Sequence, residues 1–152
     1  GSIKGIHIKD LTCVVPLGYP DHKYQIRGPE LPFFHNVLPS SIVGIPYAKI
    51  EDVVLENVKI LYPGGGNAAY ANMSEYKASS VPEKIAHYPE FSMFGELPSW
   101  GLYCRHVRGI TFNNVSLEIK EQDYRPAIYK EDVEVELPMV INVVGDQKAF
   151  FE

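Results

Sequence analysis

The feature that most constrains this chain is an eleven-residue pattern that occurs three times without gaps. Ile3 to Cys13 aligns with Ile50 to Ile60 and with Val107 to Leu117. The shared form is apolar, charged, Gly or Asp, apolar, any, apolar, any, Asn or Asp, apolar, any, apolar. Within each copy the apolar residues alternate (Ile6 and Ile8, Val53 and Leu55, Ile110 and Phe112), which puts them on one face of a strand. The alternation slips by one residue at Asp10, Asn57 and Asn114. An extra residue between two inward-facing pairs means that the strand bends there while both halves face the same core. Asn and Asp suit such a bend, because a short polar side chain tolerates left-handed backbone angles and can bond nearby main chain. Stacked copies can also bond one another through these side chains.

A unit of this kind cannot bury its apolar face alone, so the copies are expected to stack as a parallel β-solenoid. They start 47 and 57 residues apart. One coil of a β-helix needs about half of that, so each interval is expected to hold a second coil or a sizeable excursion. A weaker strand region runs from Ala127 to Val144, with Ile128, Val133, Val135 and Leu137 as the inward residues. The predicted organisation is one partial domain over 3–144, with excursions at about 16–46 and 62–100 and a tail at 145–152. Gly1-Ser2 reads as a cloning scar, with the natural N-terminus and any export signal outside the sequence.

The excursions are rich in helix breakers. Pro16 to Pro46 contains six prolines, too many for a helix or a central strand. Tyr62-Pro-Gly-Gly-Gly66 opens the second as a tight turn, and Ser80 to Ala86 is read as a short helix with Ser80 as N-cap and Pro82 in its first turn. The aromatic content of these stretches argues for order, and long ordered excursions on a scaffold are where function is commonly placed.

Charge and cysteine usage narrow the function classes. Fourteen Lys and Arg against nineteen Asp and Glu give a formal charge of -5 without a basic cluster, which argues against nucleic acid as a partner. No apolar run approaches the roughly 18 to 20 residues of a membrane span, and Leu137 to Val144 is interrupted by Pro138 and Asn142. Cys13 and Cys104 form no CxxC, and the five histidines, His7, His22, His35, His87 and His106, have no metal-ligand spacing. No metal or other cofactor is implied. Cys13 aligns with Ile60 and Leu117, so it is read as a core residue, and His7 as an outward surface residue.

The repeat followed by Tyr62-Pro-Gly-Gly-Gly66, the run Val81-Pro-Glu, and Tyr88-Pro-Glu-Phe-Ser-Met-Phe-Gly-Glu-Leu-Pro-Ser-Trp-Gly-Leu-Tyr-Cys-Arg-His-Val107 resemble the C-terminal coils of bacterial family 28 glycoside hydrolases. Asp123-Tyr-Arg-Pro-Ala127 fits the same pattern. The resemblance covers the chain from the first repeat to about Val135. It implies a right-handed parallel β-helix of the pectin-lyase-like kind, pectic or other acidic polysaccharide as partner, and a secreted or periplasmic location. The activity implied is inverting hydrolysis, which uses two carboxyl groups roughly 6.5 to 9.5 Å apart. The family's Asn-Thr-Asp, Asp-Asp, Gly-His-Gly and Arg-Ile-Lys segments are all missing from this sequence. No catalytic residue is transferred, and the chain is expected to be inactive alone. The competing reading is a non-catalytic solenoid module that binds acidic glycans or serves as an assembly scaffold.

Candidate substrate-binding residues are Glu90, Trp100, Tyr103, Arg105 and His106. Alternation that buries Leu102 and Cys104 would expose Tyr103 and Arg105, and an Arg beside aromatic rings suits a sugar carboxylate. The alternative is that Arg105 pairs with a loop carboxylate such as Glu90 or Glu96 and that Trp100 packs the loop onto the coils. Asp21, Glu30, Glu83, Glu90, Glu96 and Asp123 could each be proposed as an acid or base, but sequence does not pair them. A coil stack cut between coils exposes unpaired backbone and apolar side chains, so self-association through the open end, or a short segment folded over it, is expected.

Overall fold

Each copy of the repeat lies in a long strand in the computed structural model, which describes residues 1–17, 38–66, 80–87 and 93–145. The strands are β1 (Lys4–Val14), β2 (Ser40–Val43), β3 (Ile50–Gly64), β4 (Leu102–Glu121), β5 (Ile128–Val135) and β6 (Ile141–Val144). They form one curled six-stranded sheet in which neighbouring strands are parallel, and the described residues include no helix. β2 and β5 both pair with the first part of β4, so they lie on opposite sides of it, as do β3 and β6 farther along. The sheet therefore has four tiers: β1, then β2 followed by β3, then β4, then β5 followed by β6.

The strand register is the alignment of the repeat. Ile6 lies opposite Val53 and Val53 opposite Ile110; Cys13, Ile60 and Leu117 line up in the same way. The core therefore consists of rows running across the tiers. Val53, Leu55, Val58, Ile60, Ile110, Phe112, Val115 and Leu117 are all buried in one cluster.

The slip residues do what their chemistry suits. Asp10, Asn57 and Asn114 have φ of 53°, 52° and 57°. Asn114 Nδ2 donates to Asn57 Oδ1 at 2.9 Å, and Asn57 Nδ2 donates to Asp10 Oδ1 at 3.0 Å, a ladder across three tiers. The "Gly or Asp" position of the pattern has the same cause, since Gly5, Asp52 and Gly109 also have positive φ. Asn57→Ala should cost about 1.5–3 kcal/mol, because alanine tolerates left-handed backbone angles less well than asparagine and two hydrogen bonds are lost. Asn57→Gly keeps the backbone freedom and should cost about 1 kcal/mol. Urea unfolding of both checks this, and equal losses would show that backbone strain contributes nothing.

Several expectations are corrected. Ser80 to Ala86 is no helix: Lys84 has φ of 52°, and one turn closes from His87 N to Lys84 O at 3.0 Å. The first excursion contains β2, and β3 continues through Gly64, which pairs with Glu121, before the turn expected from Tyr62. A Cβ on Gly64 would overlap the Glu121 carbonyl, so a glycine is needed for the strand to run that far. The region 127–144 is two strands rather than one, and Leu137, expected inward, is exposed because the chain leaves the sheet between them.

Beyond β4 the chain turns around a buried ion pair. Arg125 donates from Nε to Asp123 Oδ1 at 3.1 Å and from one terminal nitrogen to Oδ2 at 2.9 Å. The backbone N–H groups of Arg125 and Gly66 complete the carboxylate's shell, at 2.9 and 3.0 Å. The pair thus ties the end of β3 to the start of the last tier.

Candidate functional site

Three of the candidate residues, Tyr103, Arg105 and His106, lie on the first part of β4, where the outer face of the sheet meets the chain segments 80–87 and 93–100. Alternation holds here only in part. Leu102 and Cys104 point into the main core as expected, but Tyr103 and Arg105 on the opposite face are buried too. Their expected exposure is corrected because Val81, Phe94 and Leu97 cover that face and form a second apolar cluster with Tyr103. Val43 and Tyr129, from the tiers on either side, pack against it. Tyr103 stacks on Tyr129 with ring centroids 6.1 Å apart, and burial raises its phenol pKa above the ordinary value.

Arg105 sits between the Phe94 and Tyr103 rings, 5.9 and 5.8 Å from their centroids. Its two terminal nitrogens donate to the carbonyls of Val81 at 2.9 Å and Pro82 at 3.0 Å, and Glu83 Oε1 lies 3.6 Å away. This is loop anchoring, by the carbonyls of Val81 and Pro82 and by Glu83, which the sequence did not name as a partner of Arg105. Trp100 lies inside the main core, edge-on to Tyr62 at 5.6 Å and 73°. It fastens its segment to the sheet, and its indole nitrogen has no hydrogen-bond partner among the described residues. Glu90 lies outside the described residues, as do Asp21, Glu30, His22 and His35.

His106 is the centre of the most polar arrangement in this region. Its Nδ1 lies 2.7 Å from Asp132 Oδ2 and its Nε2 lies 3.1 Å from Glu83 Oε1. Asp132 also accepts from the Lys49 ammonium. His106 and Asp132 face each other in neighbouring tiers, and both have left-handed φ, 53° and 55°. They are a second bend in the sheet, one residue before the repeat begins. Gly44 lies alongside in the tier before, and a Cβ there would overlap the His106 carbonyl.

Lys49 and Asp132 were not singled out from sequence. The available signal was an Asp standing immediately before an alternating Val-Glu-Val, the same grammar as Asp52 before Val53.

Lys49 first, and then His106, hold the Asp132 carboxyl below its usual pKa. A depressed carboxylate contributes stability that is fully present above its unfolded value, here 3.8, and is lost as pH falls through the folded value. Asp132→Asn should therefore flatten the acid-side fall in stability below pH 3.8 while changing the slope little at neutral pH. Urea midpoints measured on both sides of that pH check this; an unchanged acid limb would show that the carboxylate is not held by its partners.

The remaining candidates have structural surroundings. Asp123 is paired with Arg125, and His7 bonds the Glu56 carboxylate at 2.9 Å on the exposed face, where it was expected. Burial pushes the Cys104 thiol up to about 12, which makes it a poor nucleophile. Cys13 packs half-buried against the core, as its alignment with Ile60 and Leu117 requires. Among the described residues no cluster of three His, Cys, Asp or Glu could hold a metal ion, and no helix is long and apolar enough to cross a membrane.

Comparison with protein-family models, with curated proteins and with solved structures found no match for this chain.

Proposed function

We infer that this chain is a non-catalytic portion of a polygalacturonase-like parallel β-helix, supplying stacked coils to a hydrolase of pectic polysaccharides whose acid and base lie elsewhere. The observation that carries this reading is the agreement between the sequence repeat, the parallel register and the Asn57 and Asn114 ladder. A chain whose successive tiers repeat one bend in register is built for stacking. The residues that make the family resemblance specific point the same way. Val81, Pro82, Glu83, Phe94, Trp100 and Arg105 fasten segments to the sheet.

The module that binds acidic glycans is the less favoured reading. Arg105 and Tyr103, the residues suited to a uronate, are enclosed, so a sugar could reach them only after the covering segments were lifted.

Release of reducing ends from polygalacturonic acid tests the proposal. It should be absent with this chain and present with the polypeptide of its complete reading frame. Release by this chain alone, or none from either, would overturn it. Calorimetric titration with galacturonan oligosaccharides should show no binding to this chain, and saturable binding would promote the glycan-binding reading.

A further inference from the structure

The rows that cross the sheet are closed in the middle and open at both ends. In one row Val58 and Val115 are each 2% exposed, whereas Leu11 on β1 is 40% exposed. In the next, Leu55 and Phe112 are 4% and 1% exposed, and Ile8 is 39% exposed. At the other end Val133, Val135, Ile141 and Val143 are only partly buried against the core. Among the described residues β1, together with β2 beside the first part of β4, forms one edge of the sheet, and β5 with β6 forms the other.

The two edges are complementary in charge. Across the outer face Lys4, Glu51, Arg108 and Glu134 occupy one row in successive tiers. They alternate in sign and are paired at 3.5, 3.2 and 3.8 Å. The row thus begins with a cation on β1 and ends with an anion on β5. Both edges also carry mixed charges, His7, Lys9 and Asp10 on β1 and Lys130, Glu131 and Asp132 on β5, so the row from Lys4 to Glu134 is what gives each edge its sign. Pairing one edge with the other continues that row, Glu134 of one copy meeting Lys4 of the next.

The apolar rows extend in the same way. Leu11, Val58, Val115 and Ile141 share one row, and Cys13, Ile60, Leu117 and Val143 another. Another β1 laid parallel on β5 and β6 would extend both. The chain leaves the sheet at Leu137 to Met139, and Glu136 N and Val140 N, bonded to Ile110 O and Phe112 O at 2.9 Å, hold both sides of that excursion to β4.

We propose that copies of this chain associate head to tail, the β1 edge of one pairing in parallel with the β5 and β6 edge of the next. The occupant of the open end is a second copy, and because the contact is heterologous it does not close on itself. The assembly grows with concentration rather than stopping at a dimer. This does not depend on the hydrolase reading, because it follows from the two edges alone.

Sedimentation velocity over a wide concentration range tests it. The wild type should show a weight-average mass that rises past the dimer. Leu11→Lys and Ile141→Lys each place an ammonium in the same apolar row, at opposite edges, and each alone should be monomeric, with association weakened about tenfold or more. Mixed, they should give a one-to-one dimer and nothing larger, because each retains the edge that the other lacks. Circular dichroism confirms that the variants fold. If Ile141→Lys does not fold, Glu134→Lys at the exposed end of the charge row replaces it. A wild type that stays monomeric overturns the proposal and leaves the edge to another stretch of polypeptide. Assembly that survives the β5 or β6 substitution but not Leu11→Lys overturns it in favour of a symmetric contact between β1 strands. A mixture that remains monomeric overturns it as well.

Discussion

Asp123→Ala should cost about 3–5 kcal/mol, because it removes one partner of a buried ion pair. The side chains of Asp123 and Arg125 are almost wholly enclosed, and two of the arginine's donors reach the carboxylate directly. The substitution also strands the N–H groups of Gly66 and Arg125, each of which has the carboxylate as acceptor. Domains of this size have stabilities of about 5–15 kcal/mol, so the loss would be a large fraction of the total. Replacing both residues together, with Asp123→Leu and Arg125→Met, should recover part of it, since a buried pair exchanged for apolar groups is often near neutral. Urea unfolding of the single and double variants measures this. A single variant with a wild-type midpoint would mean that the pair does not hold β3 to the last tier.

The second large effect concerns position in the stack rather than residue type. Leu55→Ala should cost about 2–5 kcal/mol, as expected for emptying a buried site in a close-packed core. Ile8→Ala, at the equivalent place one tier away, should cost about 1 kcal/mol or less, because Ile8 already faces solvent on one side. Both are measured by urea unfolding at concentrations low enough to avoid association through the β1 edge. If Ile8→Ala were as costly as Leu55→Ala, β1 would have to be covered in the folded chain.

The contrast between these two substitutions also marks how much was legible in the sequence. The alternation around Ile8, Leu55 and Phe112 and the slip at Asp10, Asn57 and Asn114 are local properties, and they carried through to strands, register and bends. A strand's period is set by its own backbone, and left-handed angles are set by which side chains tolerate them. Cys13 as a core residue and His7 on the surface follow from the same pattern.

The candidate site was legible only by residue type. Tyr103 and Arg105 were correctly placed on the outer face, but whether that face met water depended on Val81, Phe94 and Leu97, which reach it from segments remote from the β4 pattern. The His106 cluster was hidden for the same reason, since Lys49, Glu83 and Asp132 come from three separate stretches.

By itself, then, the sequence determined a stack of bent parallel strands and the faces their side chains take, because those depend on backbone sterics and on residues a few positions apart. Tertiary structure alone decided what covers each face. It enclosed the arginine that looked ready for an acidic sugar, closed a buried ion pair at the turn after β4, and left the rows open at β1 and at β5 with β6. Burial is a property of chain segments brought together from far apart, and no local pattern specifies it.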